Sequence, residues 1–353
     1  MAPMGLAHRH PRFTASLGVL FLVALIFFFA TDSGDAPGYV RFKSGTDLAL
    51  ELWGEERRYR DMLKGRKGLI RTWGPSPDKV VATPDVKPKF RASFRFPVKP
   101  KEDFYTLWDF FPPSFKCPHN LERIGVMGDG GKWTCGLERI EKKEKCVIYT
   151  FGINGESSFE AGVMKRAKGC DVWGYDFSVN SFGPEIEKDE ILRSRSHFFS
   201  YALGPKDAPY ADPPTYTLQT LMKRNGHSFI DILKIDIEGN EYDSLISFFD
   251  SISTNSPLPI GQVQMEVHVY QDSEWNYFPK FLAFWEKLEK RGLRPFFSEP
   301  NMVYANLIRD LQPGLAEYSF INVKGDHELV NELTPERPRG YPPPRSAKSL
   351  AST

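Results

Sequence analysis

The sequence lacks a charge imbalance: 46 lysines and arginines stand against 45 acidic side chains, a formal net charge of +1. No field of one sign would gather nucleic acid or acidic substrates, so a nucleic-acid partner is excluded and any anion must be bound locally. Cysteine is scarce, with four residues at Cys117, Cys135, Cys146 and Cys170. That is too few for a disulfide scaffold, and the spacing lacks the two close pairs of a structural zinc site. One or two disulfides and buried free thiols fit equally well, and connectivity is not legible. There is no internal repeat, and no Asn-x-Ser/Thr sequon has a permitted middle residue. N-glycosylation would therefore not report exposure to a secretory lumen. What the chain does have is apolar residues, 41% hydrophobic and 14% aromatic over 353 positions. That is ample for a packed core, and it excludes a disordered chain.

Charge is also missing locally. From Phe13 to Ala30 no residue is ionisable, and Leu17 to Phe29 is almost wholly apolar, long enough to cross a bilayer as a helix. Arg9 and Arg12 precede it while Asp32 and Asp35 follow, so the positive-inside bias keeps residues 1–12 cytosolic. A cleaved signal peptide is the rival. Phe28 sits where a small residue should precede a cut after Ala30, and Pro37 disfavours a cut after Ala36. The expectation is an uncleaved anchor at 13–30, with the bilayer as a partner and type II orientation. The rest of the chain would face the lumen of the endoplasmic reticulum or Golgi. Residues 31–103 hold a charged segment, Asp47 to Lys64, able to form a helix, and then Pro75, Pro77, Pro84, Pro88, Pro97 and Pro100. Prolines at that frequency imply an extended stem. Residues 331–353, with Pro335, Pro338 and Pro342 to Pro344, have the composition of a disordered tail.

The region between, 104–330, alternates β-rich runs with helical stretches, the pattern of a mostly parallel sheet flanked by helices. Strands are expected at Cys146 to Phe151, Asp171 to Tyr175, Ser196 to Tyr201, Ile232 to Ile235 and Gln262 to Val267. Helices are expected near Ser157 to Lys168, Thr217 to Asn225, Glu241 to Phe249 and Pro279 to Arg291. Arg294 to Phe297 and Glu317 to Val323 alternate as antiparallel strands at a sheet edge do. The fold class is α/β, doubly wound.

In such a sheet ligands sit beyond the carboxyl ends of the strands. Phe151, Gly152, Ile153, Asn154 and Gly155 form the turn after the first strand. Two glycines there let backbone approach a bulky ligand, and Ser157 or Ser158 would cap the helix that follows. Asp176 ends the second strand, where a carboxylate can accept both ribose hydroxyls. Together they point to an adenine-ribose ligand, with NAD and S-adenosylmethionine both admitted. The turn lacks the third glycine of the dinucleotide fingerprint, which leans toward the sulfonium donor, a ligand with no pyrophosphate to bind. Asp236 and Glu238 emerge after the fourth strand and His268 after the fifth. Asp236 and His268 are the candidate catalytic bases. Glu238 could instead cap the next helix. No metal is assigned; magnesium on Asp236, Glu238 and Glu266 is chemically compatible but not favoured. The glycine-dense loop Arg123 to Trp133 reads either as a closing loop or as a hairpin.

Five segments in order carry a resemblance: Gly128-Asp129-Gly130-Gly131-Lys132-Trp133, Tyr149 to Gly155 with Ser158-Phe159-Glu160, Asp231 to Gly239, Gln264 to His268, and Ala316 to Phe320. Over roughly Phe104 to Val323 the chain resembles the methyltransferase-like protein 24 family, related to FkbM-type methyltransferases. The resemblance implies a class I Rossmann-like methyltransferase domain with a seven-stranded sheet whose last strand is antiparallel. It also implies that Phe151, Gly152, Asn154 and Gly155 line S-adenosylmethionine, that Asp176 holds its ribose, and that Asp236 and Glu238 sit beside its methionyl part and the acceptor. The expected reaction is O-methylation of a small-molecule, glycan or lipid-linked acceptor. The alternatives are a catalytically silent anchored scaffold and an NAD-dependent oxidoreductase.

Overall fold

Runs such as Ile230–Ile235 and Ile260–His268 are buried at every position, as strands covered on both faces must be. The structure is a computed structural model that describes residues 45–73, 80–81, 105–269, 273–301 and 314–331. The expected anchor at 13–30, the residues before it and the tail from 332 onward lie outside the described residues. Among the described residues no helix is long and apolar enough to cross a membrane.

Helix α1 (Gly45–Trp73) comes first. A hairpin of β1 (Leu121–Ile124) and β2 (Lys132–Cys135) precedes the main sheet. The sheet is built from β3 (Cys146–Phe151), β4 (Cys170–Tyr175), β5 (Ser196–Phe199), β6 (Ile230–Ile235), β7 (Ile260–His268), β8 (Leu293–Pro300) and β9 (Leu315–Asn322). The longer helices between them are α2 (Ser158–Arg166) after β3, α3 (Leu218–Asn225) before β6, α4 (Glu241–Ser251) after β6 and α5 (Phe278–Arg291) after β7.

Strand order is β8-β9-β7-β6-β3-β4-β5. The pairs from β7 to β5 are parallel, and β9 runs antiparallel to both β7 and β8. The chain winds outward from β3 through β4 to β5, then returns to add β6 and β7 on the other side. The reversal lies between β3 and β6, the place at which open α/β sheets bind ligands beyond their strand ends. The expected seven-stranded α/β sheet with an antiparallel strand is thus present, and the expected strands and helices match to within a few residues.

One apolar core lies on the face of Tyr149, Leu233 and Val263, packed with Phe248, Phe281 and Trp285 from the helices. The other holds Ile148, Val172 and Ile232 against Phe159, Val163 and Met164 of α2. The four cysteines form two disulfides, Cys117–Cys135 and Cys146–Cys170. The second joins the first residues of β3 and β4, which are register partners.

The prolines from Pro75 to Pro100, which carry the expected extended stem, lie outside the described residues, while the segment Asp47 to Lys64, expected to be able to form a helix, lies within α1. Its Tyr59 hydroxyl donates to Glu289 Oε1 at 2.6 Å, and Arg66 grips the same buried carboxylate through Nη1 and Nη2 at 2.8 and 2.6 Å. Arg294 of β8 reaches back to Glu56 at 2.6 Å. These contacts are made by polar residues, so the hydrophobic pattern does not advertise them.

Candidate functional site

At the end of β3 the chain turns sharply beneath the loop that follows β6. Gly152 has φ 82, and a Cβ on it would stand 1.8 Å from the Asp236 carbonyl oxygen. Only glycine lets these two backbones meet. The ladder continues across the junction, with Gly152 N donating to Tyr175 O at 3.1 Å and Asp236 N to Phe151 O at 2.9 Å. Lys234 Nζ donates to Gly152 O at 2.8 Å from below, beside the buried Glu160, whose carboxylate also accepts the Thr150 hydroxyl at 2.6 Å. Gly155 differs: φ is 74, but a Cβ there would meet nothing within 4 Å. Asn154 and Gly155 are exposed at the crevice while Ile153 is buried. Phe151 is corrected in one respect, because its ring stacks on Tyr175 in the core at 4.8 Å and only its backbone reaches the turn.

Asp176 stands where it was expected, but its oxygens are engaged by the protein. Oδ2 accepts from Ile153 N at 2.8 Å and Asn154 N at 2.9 Å, and Oδ1 accepts from the backbone and hydroxyl of Ser178, each at 2.7 Å. Burial alone would raise its pKa, but these donors hold it below the ordinary carboxylate value. The carboxylate fixes the turn's shape. The serine-cap expectation is also corrected: Ser158 Oγ accepts from Val126 N at 2.8 Å and Ser157 Oγ from Gly183 N at 2.9 Å, so neither hydroxyl caps α2.

At the carboxyl ends of β6 and β7, Asp236, Glu238 and His268 come together. His268 is 2% exposed, with Nε2 lying 3.9 Å from Asp236 Oδ1 and 3.6 Å from Glu238 Oε2. Its Nδ1 is 2.8 Å from Glu241 Oε1, which also accepts from Ile237 N at 3.1 Å. Burial pulls the imidazole pKa down, but Glu241, followed by Glu266 and Asp236, raises it overall to about 9. The pairing with Glu241 joins the start of a helix to the end of a strand. Glu238 has φ 57 and caps nothing: its side chain is 76% exposed, against 24% for Asp236.

Beyond them a buried charged layer lies between the sheet and the hairpin. Glu266 of β7, Glu317 of β9 and Glu299 of β8 are register neighbours across three strands. Lys132 pairs with Glu317, and Arg123 with Glu299 at 2.9 Å. Asn301 Nδ2 donates to both Asp129 Oδ1 at 2.9 Å and Glu266 Oε1 at 3.0 Å. Burial, helped by Asp236 and Glu317, pushes the Glu266 carboxyl up to about 8. Trp133 stacks on Phe297 at 4.0 Å. The segment Arg123 to Trp133 is therefore a hairpin pinned over the sheet. Sequence reasoning passed over Glu241 and the pairing of Lys132 with Glu317. Glu241 had a signal, standing first in the helix that follows the acidic loop; the Lys132 pair joins residues far apart in sequence and had none.

The model of the family described as "Methyltransferase domain" matches residues 92–311. The human protein "Probable methyltransferase-like protein 24" is 26% identical over a stretch covering 44% of this chain and 43% of its own. Its rat counterpart is 24% identical over 46% and 45%. The chain thus spans less than half the length of the curated relatives it matches. Among solved structures, the Methanococcus jannaschii fibrillarin pre-rRNA processing protein superposes with a TM-score of 0.31 at 13% identity, over 58% of this chain and 71% of that one.

Proposed function

Because the chain belongs to the methyltransferase-domain family, we propose that it transfers the methyl group of S-adenosylmethionine to an oxygen of a small-molecule, glycan or lipid-linked acceptor. The observation that carries this reading is the exposed turn at Gly155, where an added Cβ would meet nothing within 4 Å, at the same edge of the sheet as the Asp236, Glu238 and His268 group. A bulky nucleoside can lie against such a turn, and the exposed Glu238 carboxylate suits a ligand ammonium. When bound, S-adenosylmethionine supplies an electrophilic methyl group: the acceptor oxygen forms the new bond to carbon while the carbon–sulfur electron pair leaves with sulfur. The chain's own part is alignment and proton handling. Asp236, partly exposed, would take the acceptor's proton, with the buried His268 beside it at 3.9 Å. Calorimetric titration of the full chain with S-adenosylmethionine tests the reading. Stoichiometric binding is expected, and its absence removes the donor from the proposal.

A second reading, a catalytically silent scaffold, draws on Asp176, whose four acceptor positions are filled by Ile153, Asn154 and Ser178. It predicts no binding in the same titration. Displacement of bound S-adenosylmethionine by NAD would support the oxidoreductase alternative. The reading extends to a luminal, type II location anchored through residues 13–30. The pairing of all four cysteines supports it, since disulfides persist in oxidising compartments. Protease protection of the domain in sealed microsomes tests that orientation.

A further inference from the structure

We propose that Asp236, Glu238 and His268 form a binding site for one divalent transition-metal ion on the acceptor side of the crevice. The sequence groups Asp236 and Glu238 with Glu266 as an all-oxygen set for magnesium. The structure regroups them: Glu266 turns to Asn301 and an imidazole takes its place. One oxygen from each carboxylate and one ring nitrogen lie within 4.8 Å of one another.

The spacing is informative. Nε2 stands 3.6 Å from Glu238 Oε2 and 3.9 Å from Asp236 Oδ1, longer than the roughly 2.7–3.2 Å of a hydrogen bond. Two atoms each bound at about 2.1 Å to a shared ion stand ~3.4 Å apart at a tetrahedral angle, and further apart at wider ones. The three donors are therefore placed as ligands of a common ion more nearly than as partners of each other.

A second observation is independent of that spacing. His268 is almost fully buried, and its Nδ1 is fixed at 2.8 Å by Glu241 Oε1, from a carboxylate that is also buried. A carboxylate behind one ring nitrogen directs the other toward a ligand and raises its basicity, the arrangement found behind metal-bound histidines. Glu241 is the first residue of α4 and His268 the last of β7, so both belong to regular elements. The exposed Glu238 side chain gives an ion a path from solvent.

One nitrogen with two carboxylate oxygens suits manganese, iron or zinc better than magnesium or calcium, which take shells of oxygen. Three protein ligands leave a coordination position open. If the crevice binds donor and acceptor as proposed above, that position would receive and polarise the acceptor oxygen. This role rests on that reading; the binding of the ion does not.

The test uses the full chain, stripped with a chelator and dialysed against Zn²⁺ or Mn²⁺, with bound metal counted by mass spectrometry and Mn²⁺ titrated by electron paramagnetic resonance. S-adenosylmethionine calorimetry runs in parallel. One ion per chain is expected. Glu238→Gln, at an exposed side chain whose change leaves packing intact, and Asp236→Asn should each weaken binding roughly tenfold or more, and Glu241→Gln by about 10–100-fold. Retention of only trace metal by the wild-type chain, or unchanged affinity in both carboxylate variants, overturns the site. Donor binding without metal removes the site and leaves the methyltransferase reading; metal binding without donor does the reverse.

Discussion

Two glycines in one turn make opposite predictions when each is changed to alanine. At Gly155 the added methyl meets nothing within 4 Å, so the expense is that of holding alanine at φ 74, about 1–2 kcal/mol. At Gly152 the same methyl would stand 1.8 Å from the Asp236 carbonyl oxygen, backbone against backbone. No rotamer relieves that contact. The β3 turn and the β6 loop must separate, straining the Gly152 N to Tyr175 O and Asp236 N to Phe151 O bonds at 3.1 and 2.9 Å. With about 1 kcal/mol for each bond and 1–3 kcal/mol for overpacking added to the left-handed penalty, Gly152→Ala should lose roughly 4–7 kcal/mol. Chemical denaturation of both variants measures the contrast. Calorimetry then separates structure from ligand: Gly155→Ala should remain folded yet bind S-adenosylmethionine at least tenfold more weakly, about 1.4 kcal/mol, because the methyl stands where the nucleoside would lie. Wild-type affinity in Gly155→Ala would refute the placement of the ligand against the turn. Equal destabilisation of the two variants would refute the close approach of the loops.

Arg66→Met leaves the buried Glu289 with Tyr59 as its remaining donor from α1 and should destabilise the chain by about 3 kcal/mol; an unchanged melting temperature would show that α1 does not depend on this pair. His327 is buried with Nε2 at 3.0 Å from Asn322 O, and burial lowers its pKa from 6.5 to about 4. Its folded form prefers to be neutral, so its contribution is fully present above pH 6.5 and is lost as pH falls toward 4, a change of order 3 kcal/mol. His327→Gln should flatten that part of the stability profile, and an unaltered slope would count against the assignment. The disulfides close sequence separations of 18 and 24 residues. Replacing Cys146 and Cys170 together by alanine should remove ~3 kcal/mol, read as a lower denaturation midpoint under non-reducing conditions, with full stability as the contrary result.

The parts of the fold legible in the sequence are those set by local pattern. Strand-length apolar runs ending at glycine or aspartate locate β3, β4 and β6, the run Gln262 to Val267 locates β7, and helical stretches between them locate α2 to α5. The same logic finds the turn at Gly152 and the carboxylates at 236 and 238, because residues at the carboxyl ends of parallel strands share one edge. What escapes is the pairing of polar side chains across long separations. Asp176 reads as a free ribose ligand because nothing local shows that Ile153, Asn154 and Ser178 occupy it. His268 reads as a base because the charge of Glu241 arrives from another element. The charged segment within α1 reads as able to form a helix, but its docking does not show, because Tyr59, Arg66 and Glu56 belong as readily to a solvated surface.

That docking bears on how the chain is made. Tyr59 and Arg66 meet Glu289 across sequence separations of 230 and 223 residues. At ordinary translation speeds the partner leaves the ribosome roughly 10 to 45 seconds after the helix. Throughout that interval α1 has early partners, such as Phe115 beside Tyr59 and the Lys116 amide on Glu55, but its contacts to Glu289 and Arg294 form only once α5 and β8 have been synthesised. The docking of the first described element of the chain is thus completed late, by a carboxylate not yet translated. A nascent chain arrested before residue 289 should leave α1 open to protease, and release of the full chain should close it.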